Sequence, residues 1–252
     1  MPSSLRALVT DYLRTLIDLI EPFSPQLPLI AQALRRAGEA AGVVDLCSGG
    51  GGPWRHLSPQ LNRLAGRVVP VLLTDKYPGQ AASALRGASS AVVWCLTPVD
   101  ATAVPGSLQG MRTLFDGFHH FTPTVATGIL RNAVDDGAPI VVMELLRRSY
   151  ADLLAVLFTP VLVWGLTPWI RPFSWTRLAL TYVLPVAPLI IFWDTLVSVL
   201  RCYTPTELRR MGQVAAGNRY VWFADTYRYR GAPVTFLIGY PRDSAGAGGA
   251  AG

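Results

Sequence analysis

The sequence predicts a doubly wound α/β fold, in which helices cover both faces of a seven-stranded, mostly parallel sheet. Short apolar runs alternate with helical segments along the first part of the chain, which is typical of right-handed βαβ crossovers. The first run ends at a glycine-rich loop, and two late runs around Arg230-Gly231 predict an antiparallel closing pair. The predicted strands span residues 42–46, 68–74, 91–96, 111–118, 140–144, 220–227 and 233–240.

Helical periodicity places two helices ahead of the predicted sheet. Apolar residues recur at helical spacing from residue 3 to residue 20, and Glu21-Pro22 ends that helix. A second helix is expected at about 28–40, and the crossovers predict further helices near 79–87 and 123–134. Thr204 and Glu207 form a capping-box pattern that begins a later helix.

Composition divides the chain into five segments. The α/β rhythm stops after the fifth predicted strand, where the runs 153–170 and 178–193 contain no charged side chain. We therefore expect an N-terminal helical cap at 1–41, a cofactor-binding α/β core at 42–145, an apolar helical insert at 146–201, the C-terminal part of the core at 202–243 and a disordered tail at 244–252.

The formal net charge of +6 does not predict binding to nucleic acid. Lys76 is the only lysine, and no basic run is interleaved with aromatic residues. The three cysteines follow neither a disulfide framework nor a zinc spacing, so we expect reduced thiols in a cytoplasmic protein and no metal site. Charged residues interrupt the first helix, so it does not read as a secretory signal.

The glycine-rich loop from Asp45 to Gly52 follows the first predicted strand directly. Glycines allow a backbone to take positive φ and to approach a ligand closely. No Gly-Lys-Ser/Thr follows, which excludes a phosphate-binding P-loop, and the spacing is poor for a dinucleotide fingerprint. Taken alone, the loop is explained equally well as a tight turn between a strand and a helix.

The loop resembles the first motif of class I S-adenosylmethionine-dependent methyltransferases, Asp/Glu-x-Gly-x-Gly-x-Gly. Asp45, Gly49 and Gly51 fall on that pattern, and Cys47 replaces its first glycine. The resemblance continues in the family's order with Asp75, the segment from Asp100 to Pro105, the segment from Thr113 to Phe121 and Asp136-Gly137.

This resemblance implies that S-adenosylmethionine is the cofactor. It implies that Asp45 and the loop hold the methionine portion, that Asp75 accepts the ribose hydroxyls, and that Asp100 faces the adenine amino group. The cofactor-binding residues expected in this way are Asp45, Cys47, Ser48, Gly49, Gly51, Asp75, Lys76, Asp100, Ala101 and Phe118.

His119 and His120 are the candidate catalytic residues. A hydroxyl acceptor requires a base for its proton, and histidine titrates near neutral pH. Both histidines lie beyond a predicted strand end, where doubly wound sheets place their sites. We expect their side chains to diverge so that one reaches the acceptor, with Asp116 as a further candidate. The alternative is that both histidines only cap the strand.

The apolar insert indicates a hydrophobic acceptor, such as a lipid, a quinone or a polyketide-like compound. Its uncharged runs approach the length of a membrane span, although four prolines interrupt them. We expect either a membrane hairpin or interfacial attachment through residues 153–193, or a buried lid over the substrate. The candidate substrate-binding residues are Trp193, Asp194, Arg201 and Tyr203, and a structural pair of Asp194 with Arg201 is the alternative.

Together these features predict an S-adenosylmethionine-dependent methyltransferase that acts by O-methylation on a hydrophobic small-molecule or lipid-like acceptor. Two alternatives stay open at this point, since a fold does not dictate an activity. One is a non-catalytic or membrane-tethered binding protein on the same fold. The other is an enzyme that uses S-adenosylmethionine without methylating.

Overall fold

The computed structural model describes residues 3–78 and 91–242, with side chains from residue 8 onward. The helix predicted near 79–87 and the tail predicted at 244–252 lie outside these described residues.

Seven strands form one sheet in the order β3-β2-β1-β4-β5-β7-β6. Strands β1 to β5 are mutually parallel, and β7 runs antiparallel to both of its neighbours, β5 and β6. The predicted fold class and the reversed closing strand are therefore confirmed. The strands are β1 (Val43–Leu46), β2 (Val71–Leu73), β3 (Val92–Trp94), β4 (Met111–Phe115), β5 (Ile140–Glu144), β6 (Tyr220–Tyr229) and β7 (Ala232–Pro241).

Helices cover both faces of this sheet, and short 3₁₀ turns join several of them. The predicted capping box of Thr204 and Glu207 is present at the start of α9. The α-helices are α1 (Ser3–Ile20), α2 (Leu27–Arg36), α3 (Trp54–Ala65), α4 (Pro123–Asp135), α5 (Tyr150–Val156), α6 (Thr159–Leu166), α7 (Trp175–Leu178), α8 (Val186–Arg201) and α9 (Pro205–Ala216).

Several predicted elements were too long, and three of them, α2, β2 and β4, have a local reason. Helix α2 ends before Gly38, which takes a φ of 110°. Strand β2 begins only at Val71, because the amide of Val69 donates to the Asn62 side chain at 2.8 Å and not to a neighbouring strand. Strand β4 ends at Phe115, because the next residue, Asp116, takes a φ of 50°.

Successive residues of β1 point into two separate cores. Val43 packs with α2, α3 and Phe23 on one face of the sheet, and Val44 packs with α4 and α9 on the other. A strand buried on both faces is expected of a central parallel strand. The carboxyl ends of β1, β2, β4 and β5 therefore meet at one edge of the sheet.

The apolar insert folds as helices α5 to α8, with a 3₁₀ turn at Thr167–Trp169 and a π turn at Ala179–Val183. Its inner side packs against α1. Of the helices that the structure describes, none is by itself long and apolar enough to cross a membrane. Two bent pairs pass the test of length and composition together: Tyr150–Val156 with Thr159–Trp169, at 49°, and Trp175–Val183 with Val186–Arg201, at 82°.

Candidate active site

The glycine-rich loop leaves β1 in a run of left-handed conformations. Cys47, Gly49, Gly51 and Gly52 have φ values of 56°, 50°, 101° and 55°. Because residues other than glycine rarely adopt positive φ, Cys47 is held there by its surroundings at an energetic cost. The loop is tied to β2, since the amide of Ser48 donates to the carbonyl of Thr74 at 2.9 Å.

Asp45 lies beneath this loop and is almost completely buried. One carboxylate oxygen accepts a hydrogen bond from Thr113 Oγ1 at 2.6 Å, and the other accepts one from Ser48 Oγ at 2.6 Å. Burial raises the pKa of Asp45 to about 6, and the hydrogen bonds from Ser48 and Thr113 oppose that rise. Asp45 therefore joins the loop to β4.

Asp75 meets the loop from the end of β2. Its Oδ2 accepts a hydrogen bond from the Gly49 amide at 3.0 Å, and its Oδ1 accepts one from the Tyr77 amide at 2.8 Å. These two bonds leave further lone pairs on both oxygens. The structure thus brings together Gly49 and Asp75, which the sequence placed in the same cofactor site.

Asp100 lies beside Asp75, because the amide of Val99 donates to the Asp75 carbonyl at 3.0 Å. Lys76 Nζ donates to Asp100 Oδ2 at 2.9 Å, and the Thr102 amide donates to Oδ1 at 2.9 Å. The hydrogen bond from Lys76, together with those from Thr102, lowers the pKa of Asp100 to about 2. Ala101 is buried behind this edge.

Helix α1 covers the glycine-rich loop, which sequence patterns did not predict. A Cβ added to Gly50 would lie 2.8 Å from Thr10 Cγ2, so the two segments are in direct contact. Nearby, the partly exposed side chains of His56 in α3 and Asp18 in α1 are hydrogen-bonded, with His56 Nε2 3.0 Å from Asp18 Oδ1. The N-terminal cap is therefore part of the site's wall.

His119 and His120 lie in a short 3₁₀ turn at Phe118–His120, just beyond β4. Their ring centroids are only 4.2 Å apart, so the expectation that the side chains diverge was wrong. The tight turn after Asp116 directs both rings to the same side. Phe118 is buried in the core next to the loop.

Glu144, at the end of β5, holds this turn, and sequence reasoning did not single it out as a site residue. Its Oε1 accepts the Phe118 amide at 2.7 Å, and its Oε2 is hydrogen-bonded to His119 Nδ1. Both side chains are buried. The signal available in the sequence was an acid at the carboxyl end of a parallel strand, next in sheet order to the strand that carries the histidines.

The two histidines differ in their proton affinity. Burial lowers the pKa of His119, but the charge and hydrogen bond of Glu144 outweigh it, so that this pKa is raised. Desolvation by its surroundings and the neighbouring His119 lower the pKa of His120, although this residue is exposed to solvent. Because Glu144 occupies Nδ1, and no described residue hydrogen-bonds to Nε2, His119 presents Nε2 for a ligand.

Asp116 adds a second acid next to this pair. Its Oδ1 accepts the Leu145 amide at 2.5 Å, and its buried Oδ2 has no hydrogen-bond partner among the described residues. Burial, with a contribution from the charge of Glu144, raises the pKa of Asp116 to about 7. A strained, buried acid with one unused oxygen is typical of a functional site.

A largely apolar cavity of about 270 Å³ opens beside these groups. Helices α1, α5, α6 and α8 supply its apolar walls, and its polar groups come mainly from the turn after β4 and from α8. Pockets of this kind, with few convergent polar side chains, are typical of small-molecule sites. Its lining includes Tyr12, Asp116, His119, His120, Val163 and Asp194.

Only one of the four predicted substrate residues lies on this cavity. Asp194 lines it, whereas Trp193 and Arg201 are exposed and do not line it, although the charge of Arg201 acts on His120. The Tyr203 hydroxyl donates to the Phe121 carbonyl at 2.6 Å, and its ring packs edge-on against Phe118. Among the described residues Asp194 and Arg201 form no ion pair, so that alternative was wrong.

Cys202 lies close to the His119–Glu144 pair. One ligand-capable atom from each of these three residues lies within 4.8 Å of the others, as in a small metal site. The direct hydrogen bond between His119 Nδ1 and Glu144 accounts for two of the three groups without an ion. Burial strongly raises the pKa of the Cys202 thiol, which keeps it protonated and a poor metal ligand.

No protein-family model and no curated protein matches the chain. Among solved structures, it is similar to LepI in complex with S-adenosylmethionine, with 16% identity and a TM-score of 0.48, over 80% of this chain and 43% of that chain. It is also similar to NcsB1, an O-methyltransferase from neocarzinostatin biosynthesis in complex with S-adenosylmethionine and 2-hydroxy-5-methyl naphthoic acid (14% identity, TM-score 0.49, 90% of this chain and 56% of that chain).

A third similar structure is human N-acetylserotonin methyltransferase in complex with S-adenosylmethionine (12% identity, TM-score 0.45, 84% of this chain and 51% of that chain). The chain spans about half the length of these three proteins. Because such identities and TM-scores do not decide an activity, the function has to be argued from the geometry of the site.

Proposed function

We propose that this chain is a class I S-adenosylmethionine-dependent methyltransferase that methylates a hydroxyl group of a hydrophobic small-molecule or lipid-like acceptor. One observation carries the proposal. The Gly49–Asp75–Asp100 edge and the buried His119–Glu144 pair stand at the carboxyl ends of adjacent strands, with an apolar cavity beside the histidine. Donor and acceptor sites therefore adjoin.

The residues at the loop fit the cofactor. Asp75 and Asp100 retain lone pairs that suit ribose hydroxyls and an adenine amino group. The positive-φ glycines keep the loop backbone free of side chains, and a Cβ at Gly49 would meet only the Cys47 carbonyl, at 3.9 Å. When bound, S-adenosylmethionine supplies an electrophilic methyl group. The chain's own task is then to align the acceptor and to remove its proton.

His119 is the base in this proposal. Its Nε2 would take the proton of the acceptor hydroxyl, and the methyl group that the acceptor oxygen receives would come from the bound cofactor, whose sulfur would keep the bonding electron pair. Glu144 fixes the ring through Nδ1 and stabilises the imidazolium that forms, so it acts as a positioning residue. His120, with its lowered pKa, stays neutral and packs against the His119 ring.

The apolar walls support the acceptor class. Val163, Leu166, Ile191 and Val199 are among the residues that line the cavity, so a hydrocarbon or aromatic body would fill it while its hydroxyl faces His119. Attachment of a cytoplasmic protein to a membrane through residues 153–193 is part of the same proposal, since it would bring such acceptors to the cavity.

Calorimetry with S-adenosylmethionine tests the donor site. Asp75→Ala removes the acceptor of the Gly49 amide and the carboxylate assigned to the ribose, so we expect binding weaker by about tenfold or more. Asp225→Ala, which removes an exposed acid of β6, is the matched control and should bind as the wild type does. Absence of any binding by the wild-type chain would overturn the proposal.

Transfer of a labelled methyl group to a panel of hydrophobic alcohols and phenols tests the activity. We expect His119→Ala to bind S-adenosylmethionine normally and to lose turnover by a factor of about 10² or more. Turnover that survives in His119→Ala would remove the base assignment. Cofactor binding without transfer to any compound in the panel would favour a binding protein or a non-methylating enzyme instead.

A further inference from the structure

The outer side of the apolar insert exposes an unusual number of large hydrophobic side chains. Trp169 and Trp175 are 76% and 79% exposed. The Phe173 and Trp175 rings touch edge-on, with centroids 5.1 Å apart, so these two exposed side chains form one surface. We call this the insert face, and its main side chains are Phe158, Trp169, Phe173, Trp175, Val183 and Trp193.

The opposite side of the insert is fixed to the rest of the protein. Ile170 and Ile191 pack with Leu8 and Tyr12 of α1 in one buried cluster. The Tyr12 hydroxyl is hydrogen-bonded to Thr167. One side of the insert is therefore packed against the rest of the protein, and the other side is not. A large exposed apolar patch of this kind marks a binding surface for a protein or a membrane.

The exposed charges of the insert are predominantly positive. Residues 146–201 contain two acids, of which Asp152 is buried between Arg147 and Arg228, and Asp194 is half-buried on the cavity. Arg171 and Arg201 are exposed, and so is Arg148, which is paired with Glu207 of α9 at 2.6 Å. Arginines next to interfacial tryptophans complement the anionic headgroups of a bilayer.

The same charges disfavour a second copy of the chain as the partner. A two-fold dimer formed through the insert face would place identical patches against each other. The exposed arginines of one copy would then meet the same arginines of the other, with no exposed acid of the insert between them. A surface of negatively charged lipid has no such penalty.

We propose that the insert face docks into one leaflet of an anionic lipid bilayer, with its arginines at the headgroups and its tryptophans among the acyl chains. This deepens the membrane attachment in the proposed function and does not depend on methyl transfer. Helix α8, which carries Trp193 of the face, also walls the cavity, so an apolar acceptor dissolved in the leaflet would lie next to the site.

Co-flotation of the full chain with vesicles tests this proposal. We expect the chain to float with vesicles of phosphatidylcholine mixed with phosphatidylglycerol. Its tryptophan fluorescence should be quenched when the lipid chains carry bromine. The double variant Trp169→Ser/Trp175→Ser should bind these vesicles about tenfold more weakly or worse. Val68→Ser, which removes an exposed apolar side chain far from the insert in sequence, is the control and should bind like the wild type.

A variant that lacks two arginine charges separates the electrostatic part of vesicle binding from the apolar part. Arg171→Gln/Arg201→Gln should weaken binding to the mixed vesicles by about fivefold for each arginine and leave any binding to pure phosphatidylcholine unchanged. Two outcomes would overturn the proposal. One is no flotation with either vesicle, and the other is a wild-type dimer by sedimentation that the tryptophan variant abolishes without any effect on lipid. Both readouts are independent of cofactor binding and turnover.

Discussion

At the scale of single residues, the site depends on two acids that share one histidine. Glu144 and Asp116 both lie against the turn that carries His119, and burial penalises every charge placed there. The structure resolves this by pairing Glu144 with His119 and by raising the pKa of Asp116. A buried acid group with a raised pKa beside a hydrogen-bonded acid–histidine pair is an arrangement that catalytic sites commonly use.

The His119–Glu144 pair makes stability depend on pH. Because the pKa of His119 is raised in the folded protein, its contribution is complete below the unfolded pKa of about 6.5 and is lost as pH rises through the folded pKa. Glu144→Gln removes the charge that raises this pKa. We expect a loss of about 3 kcal/mol in the free energy of unfolding at pH 5.5, and a smaller loss at pH 9.

Two measurements check this expectation, namely urea unfolding at the two pH values and NMR titration of the His119 ring. The ring should titrate at lower pH in Glu144→Gln, and the acid limb of the rate profile should move with it. Asp18→Asn, which removes the acid beside the half-exposed His56, is the control and should leave the His119 titration in place. An unshifted His119 titration in Glu144→Gln would contradict the assigned role of Glu144.

Asp116 should act in the same direction through its own proton. Its folded pKa of about 7 exceeds the ordinary value of 3.8, so its stabilising contribution falls as pH rises from about 4 through 7. Asn cannot ionise and tolerates positive φ, and it keeps an acceptor for the Leu145 amide. We therefore expect Asp116→Asn to stabilise the protein more at pH 8 than at pH 5. The two changes in the free energy of unfolding should differ by about 1–2 kcal/mol. Equal effects at both pH values, measured in urea, would show that Asp116 is ionised throughout.

At the scale of elements, strands surrounded by strong local signals were predictable. Strand β5 was predicted at its observed bounds, because an apolar run there follows a Gly turn and ends at an acid. The end of β4 was not predictable, because the positive φ of Asp116 is fixed by contacts with Leu145 and β5. The pairing of Glu144 with His119 depends on β4 and β5 being neighbours, and no local pattern gives that.

Helix α9 approaches the sheet closely because Gly212 of α9 and Gly239 of β7 leave room for the indole of Trp222. A Cβ at Gly212 of α9 would lie 2.5 Å from the Trp222 ring, and a Cβ at Gly239 of β7 would overlap it. We expect Gly239→Ala to lower the free energy of unfolding by about 3 kcal/mol, since neither strand can move aside cheaply.

Thermal and urea unfolding measure this effect, and two variants keep the interpretation specific. Trp222→Leu in the Gly239→Ala background should recover part of the loss, because a smaller side chain relieves the overlap. Gly106→Ala, where a Cβ would meet no atom within 4 Å, should change stability little. A Gly239→Ala protein as stable as the wild type would mean that the indole lies elsewhere.

At the scale of the whole molecule, the cavity is assembled from parts far apart in sequence. The sequence indicated an N-terminal cap and an apolar insert as separate segments, and it placed the donor site on the sheet. It did not indicate that α1 covers the glycine loop and also walls the acceptor cavity. Some of those contacts join residues more than 150 positions apart, such as Tyr12 with Thr167, and periodicity carries no information at that range.

An ion pair links the apolar insert to helix α1. Arg177, buried in the insert, donates to Asp11 of α1 at 3.0 Å and to the Ile170 carbonyl at 2.9 Å, and it also contacts the Pro172 carbonyl. Arg177→Met keeps an apolar stem but leaves Asp11 and both carbonyls without their donor. We expect a loss of about 2 kcal/mol in stability, because Asp11 is partly exposed and recovers some hydration.

Hydrogen exchange followed by mass spectrometry locates where that loss falls. If the pair couples the cap to the insert, Arg177→Met should accelerate exchange both in α1 and in residues 167–183, while β1 and β4 exchange as before. Arg210→Met, which removes an exposed arginine of α9, is the matched control and should change neither segment. Faster exchange in the insert alone would mean that α1 is held by its apolar contacts. Faster exchange throughout the sheet would mean that the cavity walls and the core unfold as one unit.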